Sequence, residues 1–353
     1  DKYIIFCSSR RDSKLTAERL TEIGFKAEYH NATLTLDERR SIEERFKNGD
    51  LQIICATPTL AVGVNMPAKR VIIQSVYRGM NEIDSLEIQQ CMGRAGRPKY
   101  DTEGYAHVIL PATEFNWQMK RIQTVSITSV LKEKRDLLFH LNNQIYTGEI
   151  NNYVTAEEWW RRTFAYILTE QEYNIRSFID ELVTMNMIEI ITVDETEAIR
   201  CTKLGKISAM LYHYPDDVLI WKKNFSDIVE HSEFDNDISI ARAMVSISQI
   251  DSAPYVAKDE EPELNKFIVK HHLSGDPVIL KYVMHNYWAL TDTGNKAVVS
   301  NIRNDSDRML ACIELIDSFY GWGERDEWEA LSFRIKYGVP KEAVQLVKIR
   351  GIG

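Results

Sequence analysis

Eight consecutive residues, Gln90-Cys91-Met92-Gly93-Arg94-Ala95-Gly96-Arg97, carry the densest chemistry in this sequence. Arg94 and Arg97 are separated only by alanine and glycine, and Gln90 opens the run. A guanidinium is a permanently charged, planar fork of donors that matches phosphate oxygens. Glycine lets backbone approach a ligand with no side chain in the way. Such a pair can neutralise charge developing on a phosphoryl group in transfer, a role that contributes on the order of 10³–10⁵ in rate where it operates. Taken alone, the same residues read equally well as a surface loop with two solvated arginines. Two further stretches are rich in donors, Cys7-Ser8-Ser9-Arg10-Arg11 and Ala56-Thr57-Pro58-Thr59. Short hydroxyls and backbone amides of this kind grip phosphate without reading a base sequence. Thr57 has a second reading, as the cap of a short helix that Pro58 begins.

The elements that must position these residues alternate between strand and helix. Tyr3–Cys7 is a continuous apolar run of strand length, followed by a polar turn and a helical pattern that Gly24 ends. Lys26–Tyr29 is a second short strand. Thr35-Leu36-Asp37-Glu38 is a capping box that opens a helix closing at Gly49. Gln52–Ala56, Val71–Ser75 and Tyr105–Leu110 are further strand-like runs, with a helix over Ser85–Cys91 between the last two. The alternation predicts a parallel α/β sheet covered on both faces. Ligands of such sheets sit at the carboxyl ends of the strands. All three donor-rich stretches are therefore expected there, around one shared anionic ligand.

The chain has 353 residues, too many for one ordinary core. Its formal charge of -9 argues against a surface coated in phosphate-binding groups. The first 120 residues are nearly balanced, with 17 Lys and Arg against 16 Asp and Glu, so the acidity lies further on. Any nucleic-acid site is then a local groove. Cys7, Cys55, Cys91, Cys201 and Cys312 form no C-x-x-C pair, which excludes a zinc knuckle and points to reduced thiols. No apolar run approaches a membrane span and no signal peptide opens the chain, so secretion is not expected. The sequence begins inside a strand, as a cut N-terminus would.

Beyond Lys120 the patterns become mostly helical. Ile175, Phe178, Ile179 and Leu182 mark an amphipathic helix over 171–186. Met187–Val193, the turn Asp194-Glu195-Thr196-Glu197 and Ile199–Thr202 follow as a two-stranded ribbon, and Leu204 resumes a helix. A helix followed by such a ribbon reads as a winged helix, and its acidic turn disfavours phosphate contact. Trp159-Trp160 and Trp288 are expected in cores, and His271-His272 at the surface. Pro215-Asp216-Asp217 marks a boundary. At the end, Ile349-Arg350-Gly351-Ile352-Gly353 is similar to the hairpin of a helix–hairpin–helix, whose glycines (here Gly351 and Gly353) expose amides to one phosphate.

Three ordered stretches carry a family resemblance. Ile5-Phe6-Cys7-Ser8-Ser9-Arg10-Arg11 resembles motif IV of superfamily 2 helicases, Cys55 to Ala68 (Cys55-Ala56-Thr57-Pro58-Thr59-Leu60-Ala61-Val62-Gly63-Val64-Asn65-Met66-Pro67-Ala68) resembles motif V, and Gln90 to Arg97 resembles motif VI. Their order and spacing are similar to the second RecA-like motor domain of Ski-like helicases, and closest to the archaeal Hjm-type DNA repair helicases. The resemblance implies a multidomain fold: a RecA-like α/β domain over 1–120, a winged helix over 121–215, an all-α ratchet domain over 216–322 and a truncated helix-hairpin domain over 323–353.

By the same resemblance, Arg94 and Arg97 would reach the γ-phosphate of ATP, with Gln90 positioning water or phosphate. Gly63, Asn65 and Gly93 would lie against the nucleotide near the interdomain cleft. Ser8, Arg10 and Thr57 would touch a single strand, and Arg303 and Arg308 would face its bases from a long helix at about Ser300–Tyr320. At Thr33 the family usually has glycine, so the loop after His30 is not expected to bind nucleic acid. The strand-separating hairpin that family members carry has little room in Tyr77–Ser85.

No G-x-x-x-x-G-K-[ST] phosphate loop and no D-E-x-H-type magnesium site occurs in these residues. ATP and Mg2+ are thus expected as ligands of the full-length protein, with the Mg2+ ligands on a first RecA-like domain outside this chain. The expected whole is an ATP-dependent 3′-to-5′ DNA helicase, a monomer in the cytoplasm (nucleoid) or nucleus, acting on single-stranded or forked DNA. This chain alone is expected not to hydrolyse ATP. Two alternatives stand beside it: a Ski-like RNA helicase fragment, and a non-enzymatic nucleic-acid-binding or scaffold protein.

Overall fold

The computed structural model describes residues 1–61, 66, 68–79, 81–96, 102–124, 127–169, 173–193 and 196–349. The chain divides into two compact units, Asp1–Ile127 and Thr128–Gly353.

The first unit is built on five short parallel strands, β1 (Tyr3–Phe6), β2 (Ala27–His30), β3 (Ile53–Ala56), β4 (Arg70–Ile73) and β7 (Tyr105–Val108), in the order β2-β3-β1-β4-β7. The register is regular, with Tyr3 opposite both Ile53 and Arg70. β1 is buried on both sides, as the central strand of a parallel sheet must be. Ile5 and Cys7 face the layer that α1 (Arg10–Glu22) covers through Ala17, and Ile4 and Phe6 face the opposite layer. That layer is filled by Ile42 and Phe46 of α2 (Leu36–Asn48), Ile88 and Cys91 of α3 (Ser85–Met92) and Ile122 of α4 (Phe115–Gln123). Thr35 and Glu38 make the expected reciprocal cap of α2. Between β4 and α3 a small antiparallel ribbon pairs β5 (Tyr77–Arg78) with β6 (Asn81–Glu82).

The second unit is helical: α5 (Lys134–Thr147), α6 (Tyr153–Arg161), α7 (Phe164–Thr169), α8 (Ile175–Thr184), a ribbon of β8 (Ile188–Val193) and β9 (Thr196–Cys201), α9 (Lys203–Leu211), α10 (Pro215–His231), α11 (Asp237–Ala243), α12 (Ile247–Ser252), α13 (Glu261–Lys270), α14 (Pro277–Thr291), α15 (Lys296–Tyr320), α16 (Arg325–Tyr337) and α17 (Val344–Val347). The ribbon pairs Ile188 with Cys201 and Val193 with Thr196, and α8 precedes it as the periodicity requires. One apolar cluster runs from Leu137 to Ile335 and takes in Trp160 and Trp288. The division between the units falls at 127/128, a few residues past the boundary expected at about 121, whereas 216 and 323 lie inside the second compact unit. Residues 121–127 go with the sheet unit, because Arg121 on α4 donates to the Ile83 carbonyl and the Ser85 hydroxyl. Pro215 is the first residue of α10 rather than a linker, since proline suits a first helical turn.

Buried polar side chains pin the helices of this unit. Arg135 on α5 lies over the Tyr214 ring and pairs with Asp216, Asp217 and Asp251. Asp317 near the end of α15 accepts from the Gly323 and Glu324 amides and the Trp328 indole, fixing the start of α16. All five cysteines are free and buried. Burial pushes the thiol of Cys7 up to about 11 and those of Cys55, Cys91 and Cys201 up to about 12; it raises Cys312 as well.

At the start of α9, Gly205 passes so close to the ribbon that a Cβ there would lie 1.9 Å from the Met187 carbonyl oxygen. Gly205→Ala is therefore expected to destabilise the helical unit by about 1–3 kcal/mol, the usual range for overpacking. Urea unfolding monitored by circular dichroism should show a lower midpoint with an unchanged slope.

Candidate functional site

The structure sorts the expected site residues by the end of the sheet they occupy. At the carboxyl ends of β1 and β3 stand Ser8, Arg10 and Thr57. Ser9 caps α1, its hydroxyl oxygen accepting from the Asp12 amide at 3.0 Å. The hydroxyls of Ser9 and Ser8 then donate to the Asp12 carboxylate at 2.7 and 2.9 Å. Those two hydrogen bonds, Ser9 first, hold the Asp12 carboxyl below its ordinary range. The Ser8 proton is committed to a carboxylate, a neighbour that repels phosphate. Arg10 is exposed at this end, and the half-buried Thr57 directly follows β3.

Asn31, whose role the sequence alone did not reveal, fixes this loop from just beyond β2. Its buried amide donates to the Arg10 carbonyl at 3.2 Å and the Ser13 hydroxyl at 3.0 Å, and its oxygen accepts from the Thr33 amide and hydroxyl. Beside it, burial lowers the pKa of His30, whose ring lies 3.2 Å from Glu43. The loop after β2 is thus an internal brace.

The arginine-bearing turn lies elsewhere. α3, capped by Asp84, runs from the β5–β6 ribbon to Met92, and the chain continues in tight turns through Gly93 and Arg94. The Ala68 amide donates to the Arg94 carbonyl at 3.0 Å, and the Gly96 amide donates to the Ala68 carbonyl at 2.7 Å. These bonds form a parallel bridge between Ala68 and Ala95. Ala68 lies two residues before β4, so the turn sits by the amino end of that strand. One shared ligand at the strand carboxyl ends, the expectation from sequence, is corrected: Arg94 and the group of Ser8, Arg10 and Thr57 follow opposite ends of the sheet. The reason is α3 itself, which carries the chain from one end back to the other.

Arg94 is half-buried, and Gln90 and Gly93 are exposed on the last turn of α3 and just beyond it. The thiol of Cys91 between them is buried, its pKa pushed up by desolvation, and fills the core instead of reacting. Gly96 adopts a left-handed backbone (φ +92°). Gly104, returning toward β7, packs against it so closely that a Cβ would lie 2.4 Å from the Gly96 nitrogen. The need for a glycine at 104 is a second signal that sequence reading passed over. Arg97, Gly63 and Asn65, expected beside Arg94 at the nucleotide, lie outside the described residues, as do Gly351 and Gly353.

In the helical unit, α15 begins at Lys296, four residues before the expected start, and is the longest helix described. Its two arginines do not present free guanidiniums. Arg303 donates to the Ala289 carbonyl at 3.2 Å and pairs with Asp292 at 3.0 Å, capping the end of α14. Arg308 donates to the carbonyls of Leu211 and Tyr212 at the end of α9. Placing both against nucleic-acid bases is corrected to this extent: each carries a structural task set by unpaired carbonyls at a helix end. Arg308 also lines a cleft of about 970 Å³, with Tyr212, Tyr255, Tyr282, Asn301 and Asp305 among its other walls. Lys281 in the same wall is buried, its ammonium donating to the Ala253 and Tyr255 carbonyls. Aromatic faces and amides dominate what remains available, with carboxylates between them.

No group of His, Cys, Asp and Glu able to hold a metal ion occurs among the described residues. No helix among them is long and apolar enough to cross a membrane.

Residues 1–99 match the helicase conserved C-terminal domain. The chain is 27% identical to the ATP-dependent DNA helicase Hel308 of Thermoplasma volcanium, over 98% of this chain and 52% of that protein. It is 33% identical to Hel308 of Pyrococcus horikoshii over 65% of this chain and 33% of that protein. It is 31% identical to the probable ATP-dependent DNA helicase HFM1 of Mus musculus over 58% of this chain and 15% of that protein. The chain spans about half the length of the first of these relatives and less of the others.

If the contact between Gly96 and Gly104 sets the arginine turn, Gly104→Ala should loosen it while leaving the sheet folded. Hydrogen exchange read by mass spectrometry or NMR should then show the Ala68 and Gly96 amides losing protection, with the β1 and β3 amides unchanged.

Proposed function

Taking as premise that the chain resembles the Hel308-type superfamily 2 helicases over nearly its whole length, we propose that it is the C-terminal part of an ATP-dependent DNA helicase translocating 3′ to 5′ on single-stranded DNA. The observation that carries the proposal is the Arg94 turn: Arg94 is half-buried, and the backbone turn that bears it is tied to Ala68 through the Arg94 carbonyl and the Gly96 amide, within the run that resembles motif VI. Such fixation is what electrostatic stabilisation of a transferring phosphoryl group needs, because the charge must be in place before it is required.

ATP is the substrate of this reading, and a bound Mg2+ would neutralise charge between its phosphates. Among the described residues the donor set suits the phosphate end, and none groups as ligands for a metal. Arg94, with Arg97, would meet charge on the γ-phosphate, and Gln90, exposed one turn before, would orient the attacking water or the phosphate. Gly63, Asn65 and Gly93 would border the nucleotide. The phosphate loop and the Mg2+ carboxylates would come from a first RecA-like domain, so this chain alone would not turn ATP over. Opening and closing of two motor domains, driven by tighter ATP binding in the closed state, would step the strand.

The strand itself would meet Arg10 and Thr57 at the carboxyl ends of the sheet. In the helical unit, read as winged helix, ratchet and helix-hairpin segments, the aromatic and amide walls of the cleft beside α15 would meet bases. Arg303 and Arg308 would act there by holding helix ends, and Gly351 and Gly353 would touch one phosphate. Non-specific affinity would then fall with salt. A monomer acting in DNA repair in the cytoplasm or nucleus is the accompanying expectation.

Arg94→Ala in the intact protein should lower single-strand-stimulated ATP hydrolysis by roughly 10³-fold or more, the lower end of the range for such arginines, with single-strand binding retained. Steady-state hydrolysis and fluorescence anisotropy check both. Turnover within a few-fold of the parent would remove Arg94 from the site, and stimulation by RNA in preference to DNA would transfer the reading to an RNA helicase.

A further inference from the structure

α3 has eight residues, little more than two turns, so its orientation comes from its neighbours and not from helical cooperativity. Its start is held from two sides. Asp84 caps it, Arg121 of α4 donates to the Ile83 carbonyl and the Ser85 hydroxyl, and Glu87 pairs with Arg78 of the β5–β6 ribbon. In the last turn the polar tie is Gln89, half-buried, whose amide donates to the Ile122 carbonyl at 2.7 Å. That carbonyl lies in the final turn of α4, where a helix leaves acceptors without an internal partner. The support is itself firm. Ile122 is buried in the core, and the buried Gln118 donates to the Tyr77 oxygen at 3.1 Å and to Glu114 at 3.3 Å while accepting from Arg121 at 2.9 Å. The backbone carbonyl of the same Gln89 accepts the Gly93 amide at 2.8 Å. The Arg94 amide then donates to the Cys91 carbonyl at 3.1 Å and the Ala95 amide to the Met92 carbonyl at 2.9 Å. The turn that bears Arg94 is thus a direct continuation of the helical turn that Gln89 anchors. Ala68 holds it from the sheet, Gln89 from α4.

We propose that Gln89 is the positioning residue of the arginine turn: its bond to Ile122 sets the rotation of α3 about its own axis, and with it the place of Arg94. This rests on the motor reading above, in which Arg94 meets a phosphoryl group. A guanidinium stabilises developing charge only if it is already in place, and a displacement of about 1 Å at such a site can lose on the order of 10²-fold in rate. Gln90, one position on, lies about 100° further round the helix and is exposed. The two adjacent glutamines therefore have separate tasks, Gln90 toward the ligand and Gln89 toward the scaffold. Gln89 meets no nucleotide; its effect passes through the last turn of α3.

The test uses the intact protein with Gln89→Glu, Gln89→Ala and Gln89→Lys, beside the parent and Arg94→Ala. Gln89→Glu keeps the shape but sets a carboxylate against a carbonyl oxygen, and Gln89→Lys restores a donor. Four quantities are measured: the single-turnover rate of ATP hydrolysis with single-stranded DNA, the ATP concentration giving half that rate, single-strand affinity and the thermal midpoint. The rate should fall about three- to tenfold in Gln89→Glu and Gln89→Ala, the population ratio that one hydrogen bond controls. The half-saturating ATP concentration and single-strand affinity should stay within about twofold, and Gln89→Lys should return the rate to within about twofold of the parent. If Gln89→Glu fails to fold, as its thermal midpoint would report, Gln89→Ala carries the test. A rate unchanged in Gln89→Ala, a loss that Gln89→Lys does not relieve, or ATP affinity falling as far as the rate would each overturn the positioning role while leaving the motor reading intact. A parent protein without nucleic-acid-stimulated hydrolysis, or Arg94→Ala turning over within a few-fold of the parent, would overturn the reading of the arginine turn, and the role of Gln89 with it.

Discussion

Two backbone hydrogen bonds on Ala68 decide where the most chemically potent side chain of the sheet unit stands. They clamp Arg94, Ala95 and Gly96 to the residue that leads into β4, a strand flanked by β1 and β7. The turn is therefore anchored to the buried parallel sheet. Gly96 supplies the left-handed backbone and Gly104 the clearance that let the clamp close. A long, flexible arginine gains directional value only from such an anchor, because the entropy of holding it is met by the fold before any ligand arrives.

The same sheet separates two groups of donor residues. Arg10 and Thr57 follow strand carboxyl ends, whereas the Arg94 turn lies by the amino end of β4, with α3 spanning the distance between. The proposed nucleotide and strand sites are then linked by one helix and not merged in one pocket. α4 packs alongside α3 and is hydrogen-bonded to Tyr77 and Ile83 at the two ends of the ribbon from which α3 starts.

Much of this architecture was legible in the residues. The β1 and β3 runs, the capping box at Thr35 and the helix ended by Gly24 express short-range preferences that the packed sheet does not overrule. The Arg94 run stood out only beside the other two motif-like stretches, since alone it reads equally well as a solvated surface loop. What remained hidden depends on neighbours distant in sequence. Ser8 looks like a phosphate donor until Asp12 takes its proton, and Arg303 and Arg308 look like ligand contacts until the carbonyls of Ala289, Leu211 and Tyr212 claim them. Asn31, Gly104 and Gln118 show no local pattern at all; their roles exist only once three or more elements meet. Pro215 opens α10, since a proline that ends one helix pattern equally begins the next.

The five buried thiols have a practical corollary. Alkylating reagents attack thiolates, and in this fold each sulfur is both shielded and disfavoured from ionising near neutral pH. A fluorophore-bearing maleimide would pass over them and report only on a cysteine placed at the surface. Distances between the two units could then be followed by paired dyes in the otherwise unaltered polypeptide.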